Sequence, residues 1–372
     1  MALRVPLTRL LFDEAAQQAL SRVLASGWIA QGEKVAHFEE EFAAYVGAKH
    51  AVAVSSGTMA LHLSLLALCL PDGSEVICPS HSFVATANAI RMAGLTPRFV
   101  DVDRRTYNVQ GQGIEEAIGS HTGALLPVHQ LGLPCPMDDI CRIAEDKGIP
   151  IIEDAACGLG SFYGKRMAGT FGRGGCFSFH PRKVLTTGEG GMVVTDDGAF
   201  AQKVRALRNH GIDAEEPQKG SLFPGLNGRM TDLQAELGLW GLSRVNAWIE
   251  RRRHIAAFYT KAFGELPGLF LPRDVAPARH NFQSYCLAIA ESCPLTRNAL
   301  AESLAKAGIS TRKGIPCIHR QPAYEKQGKI LGLPNTEWLE EASLFLPIFP
   351  GMSEEEIQTV TRAVARPFGE VT

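Results

Sequence analysis

Three short stretches of this 372-residue chain hold residues able to do chemistry. In the run SSGTMAL (55–61) an apolar segment ends, Gly57 permits an unusual turn, and Thr58 opens a helix-like segment. Free N–H groups and the positive end of a helix dipole attract an anion, and Ser and Thr hydroxyls add donors. The run suits a phosphate monoester, although a plain N-cap uses the same residue types. It is not the lysine-bearing nucleotide loop, because no lysine follows the glycine. In IIEDAA (151–156), Glu153 and Asp154 follow an apolar strand, where α/β sheets place ligands. An acid there can hold a metal, a ribose hydroxyl or a ring nitrogen, or simply end the strand. In FSFHPRKVLTTGEGGMVV (177–194), Lys183 sits in a polar turn behind His180 and Pro181. Most loop lysines are merely solvated. One that forms a Schiff base must be held near its target and partly desolvated. Gly188, Gly190 and Gly191 would allow close backbone approach.

The elements that must position these residues alternate. HAVAVS (50–55), EVICPS (75–80), PRFVDVD (97–103), GALLPVH (123–129) and IPIIEDA (149–155) read as short buried strands. GTMALHLSLLAL (57–68), FVATANAIRMAG (83–94) and MDDICRIAEDKG (137–148) read as helices between them. Near-continuous apolar strands alternating with helices predict a mostly parallel sheet covered on both faces. Past about residue 175, CFSFH and GMVVTDD are expected as strands joined by the Lys183 turn, and one long helix is expected over 231–263. The tail offers strands at YCLAIA and GISTRK and helices at TRNALAESLAKAG and SEEEIQTVTRAVA, a small α/β domain. The expected division is a large domain over 1–250 and a small one over 251–372. An anion cradle, a carboxylate and an amine, in that order, are what pyridoxal phosphate (PLP) requires for its phosphate, ring nitrogen and aldehyde.

Bulk properties exclude several other classes. Lys plus Arg is 37 against Asp plus Glu 39, so no basic surplus points to nucleic acid or a membrane surface. Nine scattered cysteines without a C-x-x-C pair signal neither a zinc site nor a disulfide framework, and fit reduced thiols in a cytoplasm. No apolar run nears the roughly 18 residues of a membrane span. No G-x-G-x-x-G follows the first strands, which argues against a nicotinamide-dependent dehydrogenase.

Over nearly its whole length the chain resembles the DegT/StrS sugar aminotransferases, which have PLP fold type I. The resemblance rests on SGWIAQGEKVAHFEEEFAAYVGAKHAVAVSSGTMAL, PSHSFVATANAI, PVHQLGLPCPMDDI, IIEDAACGLGS, CFSFHPRKVLTTGEGGMVVT, LRNHGI and GLNGRMTDLQAELG, in one order. It implies that Lys183 carries the cofactor and shuttles a proton, and that Asp154 keeps the pyridine nitrogen protonated. Gly57, Thr58 and Ser178 match phosphate ligands, and Phe83 matches an aromatic ring stacked on the cofactor. Asn227 matches a residue that reaches the phosphate in the neighbouring subunit, which implies a homodimer with shared sites. Cys157 stands where many relatives carry Gln or His against the cofactor's phenolic oxygen, and Cys is a weaker hydrogen-bond partner.

The implied reaction takes an amino group from an amino acid, usually L-glutamate, to a nucleoside-diphosphate keto-sugar. SGWIAQG looks more like members acting on 4-keto-6-deoxy sugars. The rivals are a PLP-dependent sugar dehydratase or another PLP enzyme of the same fold, and a non-catalytic regulatory protein. Some dehydratases of the family carry His in place of the lysine, so Lys183 favours transamination.

Overall fold

Short β-rich runs that are apolar throughout can be buried on both faces, and here they form the middle layer of the molecule. The computed structural model describes residues 4–325 and 332–369. Seven strands matter for the site: β1 (His50–Val54), β2 (Glu75–Pro79), β3 (Thr96–Val100), β4 (Thr122–Leu125), β5 (Ile152–Asp154), β6 (Gly174–Ser178) and β7 (Gly191–Thr195). They lie in the order β3-β2-β4 and β5-β6-β7-β1, and single bridges Leu125–Ile151 and Val128–Asp154 join the two sets. Every pairing is parallel except β6 with β7 and β7 with β1. The sheet is therefore mostly parallel and mixed, as the alternation predicted.

The helix Gly57–Ala67 is apolar nearly all round, and Ala60 through Leu65 are buried. Such a helix belongs inside a protein rather than on its surface. It packs against β6 and β7 and shares a core with Val52, Val76, Ile152 and Val193.

A second core forms under the antiparallel sheet Leu269–Phe270, Tyr285–Ile289, Ser343–Leu346 and Arg312–Lys313. Helices Val245–Phe263, Arg297–Lys306 and Glu354–Ala365 cover it, with Tyr259, Phe263, Leu287 and Val360 inside. Val5 also lies in this core. Its N–H donates to Gly308 O at 3.1 Å, and its carbonyl accepts from Ser310 N at 2.9 Å.

Two expectations are corrected. The helix foreseen over 231–263 is two helices, Asp232–Leu242 and Val245–Phe263. Ser243 Oγ donates back to Trp240 O at 2.8 Å, and the chain turns through Ser243 and Arg244 before the second helix begins. Of GISTRK, only Arg312–Lys313 pairs as strand. The expected 250/251 domain boundary falls within the helix Val245–Phe263.

At the end of β5, neighbouring side chains point to opposite faces, and this separates the two acids. Glu153 is fully buried away from the ligand side. Its carboxylate accepts from His129 Nε2 at 2.9 Å and from the N–H groups of Gly169 (2.8 Å), Phe171 (2.6 Å) and Gly172 (2.6 Å). It is the clamp for the 169–172 turn. Glu153→Ala should leave these donors stranded, at about 1–3 kcal/mol for each that stays unsatisfied. Chemical denaturation would read this as a lowered midpoint, and an unchanged midpoint would remove the structural role.

Candidate active site

The strand order brings the ends of β1, β5 and β6 to one edge, where a cavity of about 410 Å³ opens. Of the residues singled out from the sequence, Gly57, Thr58, Phe83, Asp154, Cys157, Ser178 and Lys183 all line it.

One wall is the start of the helix that follows β1. Ser56 caps it, accepting from Met59 N at 3.1 Å through Oγ. The first-turn N–H groups of Gly57 and Thr58 have no acceptor within the helix, so they are free for an anion. A Cβ on Gly57 would lie 2.7 Å from Ser178 Cβ, and one on Gly191 would lie 2.4 Å from Ser56 O. Both glycines are required for the two strand ends to close on each other, which sets the Ser178 and Thr58 hydroxyls around one small space.

The floor is Asp154, which is 5% exposed. It accepts from Thr86 Oγ1 at 2.9 Å and from Ala156 N at 3.2 Å, and Ser82 and Thr86 are joined at 2.8 Å between hydroxyls. Burial pushes its carboxyl pKa up, and these hydrogen bonds with the positive charge of Lys183 offset that in part. A cationic partner brought against a buried carboxyl bonded only to neutral donors would stabilise its ionised form.

Lys183 is placed by a turn in which its own N–H donates to His180 O at 2.8 Å and Arg182 N donates to His180 Nδ1 at 3.2 Å. His180 is thus a turn-forming residue, and burial lowers its pKa. Lys183 Nζ lies 3.2 Å from Cys157 Sγ. The Cys157 carbonyl accepts from Asn281 Nδ2 at 2.8 Å, so a residue near the small sheet fixes this turn. Phe83 is 69% exposed and presents its ring at the cavity mouth. Asn227 is the exception. It is exposed, pairs with Asn209, and lies outside this chain's own cavity.

Two lining residues, Thr86 and Gln130, carried no signal in the sequence. Thr86 is buried in the first turn of the helix Ala85–Met92, and its bond to Asp154 is long-range. Gln130 is held by its own N–H donating to Asn108 Oδ1 at 2.9 Å. Arg312 arrives from the small sheet. No group of His, Cys, Asp and Glu able to hold a metal occurs among the described residues, and none of their helices is long and apolar enough to cross a membrane.

Because burial raises the Asp154 pKa above its ordinary value of 3.8, folding favours its protonated form and ionisation weakens the fold. That weakening is absent below pH 3.8 and complete above the raised folded value. Asp154→Asn should therefore raise the melting temperature of the cofactor-free protein at pH 7, with a gain that shrinks as pH falls towards 3.8. A variant that melts below wild type at pH 7 would contradict this account.

Comparison with known proteins places these features in a wider set. The model of the DegT/DnrJ/EryC1/StrS aminotransferase family matches residues 11–365. The spore coat polysaccharide biosynthesis protein SpsC of Bacillus subtilis is 39% identical over 360 residues, covering 93% of this chain and 92% of that protein. The crystal structure of S. venezuelae DesV, in complex with a ketimine intermediate, superposes with a TM-score of 0.92 at 34% identity over 100% of both chains. E. coli GDP-4-keto-6-deoxy-D-mannose-3-dehydratase, with bound hydrated PLP, superposes with a TM-score of 0.92 at 27% identity, covering 98% of this chain and 100% of that one.

Proposed function

The chain belongs to the DegT/DnrJ/EryC1/StrS aminotransferase family, and from that premise we propose that it moves an amino group from an amino acid to a nucleoside-diphosphate keto-sugar with PLP as cofactor. The observation that carries the reading is one cavity lined by an amine, a buried carboxylate and a free helix N-terminus: Lys183, Asp154 and the Gly57–Thr58 turn. The residues fit PLP. The glycine-closed turn admits a phosphate and no side chain, and Asp154 stands buried without a bonded cation of its own. When bound, the cofactor supplies an electron-withdrawing ring that carries nitrogen between two substrates.

Each residue then has a task. Gly57 and Thr58 N–H groups, with the Thr58 and Ser178 hydroxyls, hold the phosphate. Asp154 holds a proton on the ring nitrogen, and Thr86 holds Asp154. Phe83, at the cavity mouth, would stack on the cofactor ring. Lys183 would hold the cofactor through Nζ and would move the proton at the substrate carbon. Cys157 would face the phenolic oxygen as a weak partner. L-Glutamate is the proposed donor and a 4-keto-6-deoxy sugar the proposed acceptor. The similarity to a dehydratase keeps that chemistry as the competing reading, and Lys183 at the reacting position favours transamination. The nine cysteines are all free, in keeping with a cytoplasmic enzyme.

Absorption spectroscopy tests the assignment. With PLP added, wild type should show a visible band that L-glutamate converts, whereas Lys183→Ala should show no covalent attachment and no turnover. Full activity in that variant would remove Lys183 from its role, and a band unmoved by any amino acid would favour the dehydratase reading.

Asn227 is proposed to act in the site of a second copy. It is exposed beside Leu222 and Leu226, which are 49% and 36% exposed, a partly apolar surface suited to burial in a dimer. Lys183→Ala and Asn227→Ala should each be impaired alone, and refolding them together should restore activity. In the mixed dimer one site combines an intact Lys183 with an intact Asn227. No gain on mixing would place Asn227 outside any shared site.

A further inference from the structure

The segment that leads into the strand Tyr285–Ile289 touches two turns of the cavity at once. Phe282, in its middle, has a φ of 51°. That is the left-handed region, unfavourable for a bulky side chain, and backbone held there against its preference gathers at functional sites. His280 does the holding: its Nδ1 accepts from Phe282 N at 2.9 Å, and its ring stacks on the Phe282 ring at 4.2 Å between centroids. The buried Arg252 adds donors to Gln283 O and Ile348 O, each at 3.0 Å.

On either side of Phe282 a side-chain amide reaches the cavity edge. Asn281 Nδ2 donates to Cys157 O at 2.8 Å and to Leu159 O at 2.9 Å, and its Oδ1 accepts from Gln283 N at 2.7 Å. Gln283 lines the cavity, and its Nε2 donates to Arg182 O at 2.8 Å. A carbonyl accepts only from a donor, so the amide must turn its Nε2 towards Arg182. Its Oε1 is left to accept from Ser284 Oγ at 3.2 Å.

The bond to Arg182 O matters because of the peptide it grips. That carbonyl belongs to the peptide joining Arg182 to Lys183, whose N–H already donates to His180 O at 2.8 Å. A planar peptide held at both its N–H and its C=O has little freedom left to rotate. Its plane sets the direction in which the Lys183 side chain leaves the backbone. The grip on the N–H comes from inside the turn, and the grip on the C=O comes from a residue about 100 positions further along the chain.

Resting on the aminotransferase reading, we infer that Gln283 is a positioning residue for Lys183, holding the amine in place through the Arg182 carbonyl. A reacting group misplaced by about 1 Å can lose about 100-fold in rate. Asn281 does the corresponding work for the Cys157 turn, so the spacing of Lys183 and Cys157 is set by one short segment of the small sheet's core. Gln283 has a rival role, because its second amide hydrogen could contact a substrate in the cavity.

Visible spectroscopy of the PLP-loaded protein separates these roles. Wild type would be compared with Gln283→Met, which keeps the length and removes the donor, and with Gln283→His, which puts an N–H back. Gln283→Met should still take up PLP on Lys183, read by mass after borohydride reduction. Its cofactor band should titrate at a displaced pH midpoint. Saturating glutamate should convert that band about 10- to 100-fold more slowly, with the half-saturating concentration unchanged. Gln283→His should recover part of the rate. An unchanged midpoint with an unchanged conversion rate in Gln283→Met would overturn the inference. So would a raised half-saturating glutamate with the rate intact, which would make Gln283 a substrate contact. Variants that both lose the cofactor and melt early would reduce Gln283 to a structural part. If wild type shows its band but does not respond to glutamate, the proposed donor falls, and the pH midpoint still decides the role of Gln283. A wild type without the band would bring down the aminotransferase reading and this inference with it.

Discussion

Three strand ends meet at one edge of the main sheet because β1, β5 and β6 point the same way and β7 points back between two of them. A parallel successor to β6 would have needed a crossover of a dozen or more residues, leading the chain away to the opposite edge. An antiparallel one needs only a turn, and that turn carries Lys183. The reversal keeps the amine at the edge where Asp154 and the Gly57 helix start already lie. Gly191, the first residue of β7, pairs with both Val54 and Ser178. Its lack of a side chain lets the Ser56 carbonyl sit against it, so one residue closes the anion wall and the amine turn together.

Energetics at this edge run against the fold's own stability. Asp154 is buried with hydroxyl and amide donors in place of a cation, and Arg312 is half-buried with an idle Nε. Both are unfavourable in the protein by itself, and both lie on the cavity surface. Glu153 shows the contrast. One residue away, on the opposite face of the same strand, it has a full set of donors and no opening to the cavity. On this strand the fully bonded Glu153 holds the frame, and Asp154 borders the cavity.

The frame was legible because its signals are local. Apolar runs and glycine stops mark β1 to β5 and their helices, and SSGT, the acidic pair and the Lys183 turn each stand at a strand end. Which member of the acidic pair faces the cavity depended on strand alternation together with the donors of the 169–172 turn. Thr86 and Gln130 reach the cavity through contacts distant in sequence, and nothing around them announces it. Arg312 instead opens the basic run RKGIPCIHR, which could be read from the sequence as a diphosphate contact or as a solvated edge. The break at Ser243–Arg244 escaped notice because the apolar spacing continues across it, while the Ser243 side chain bonds back to the Trp240 carbonyl. Asn227 lies outside the cavity of its own chain, so only the resemblance gave it a role.

Val5 is wedged into the core of the small antiparallel unit, against residues 308–310. During synthesis this residue leaves the ribosome early, and its partners come only after the whole main sheet has been made. The main sheet can therefore assemble while the second core is still missing a wall. The loop that Val5 closes spans most of the protein, and ordering it adds an entropic cost that grows only slowly with length. Closure of that core therefore waits, during synthesis, for residues 308–310 to be made. Thr8, three residues further on, lines the rim of the cavity, so the mouth of the site takes its final shape only when the two regions of the chain have met.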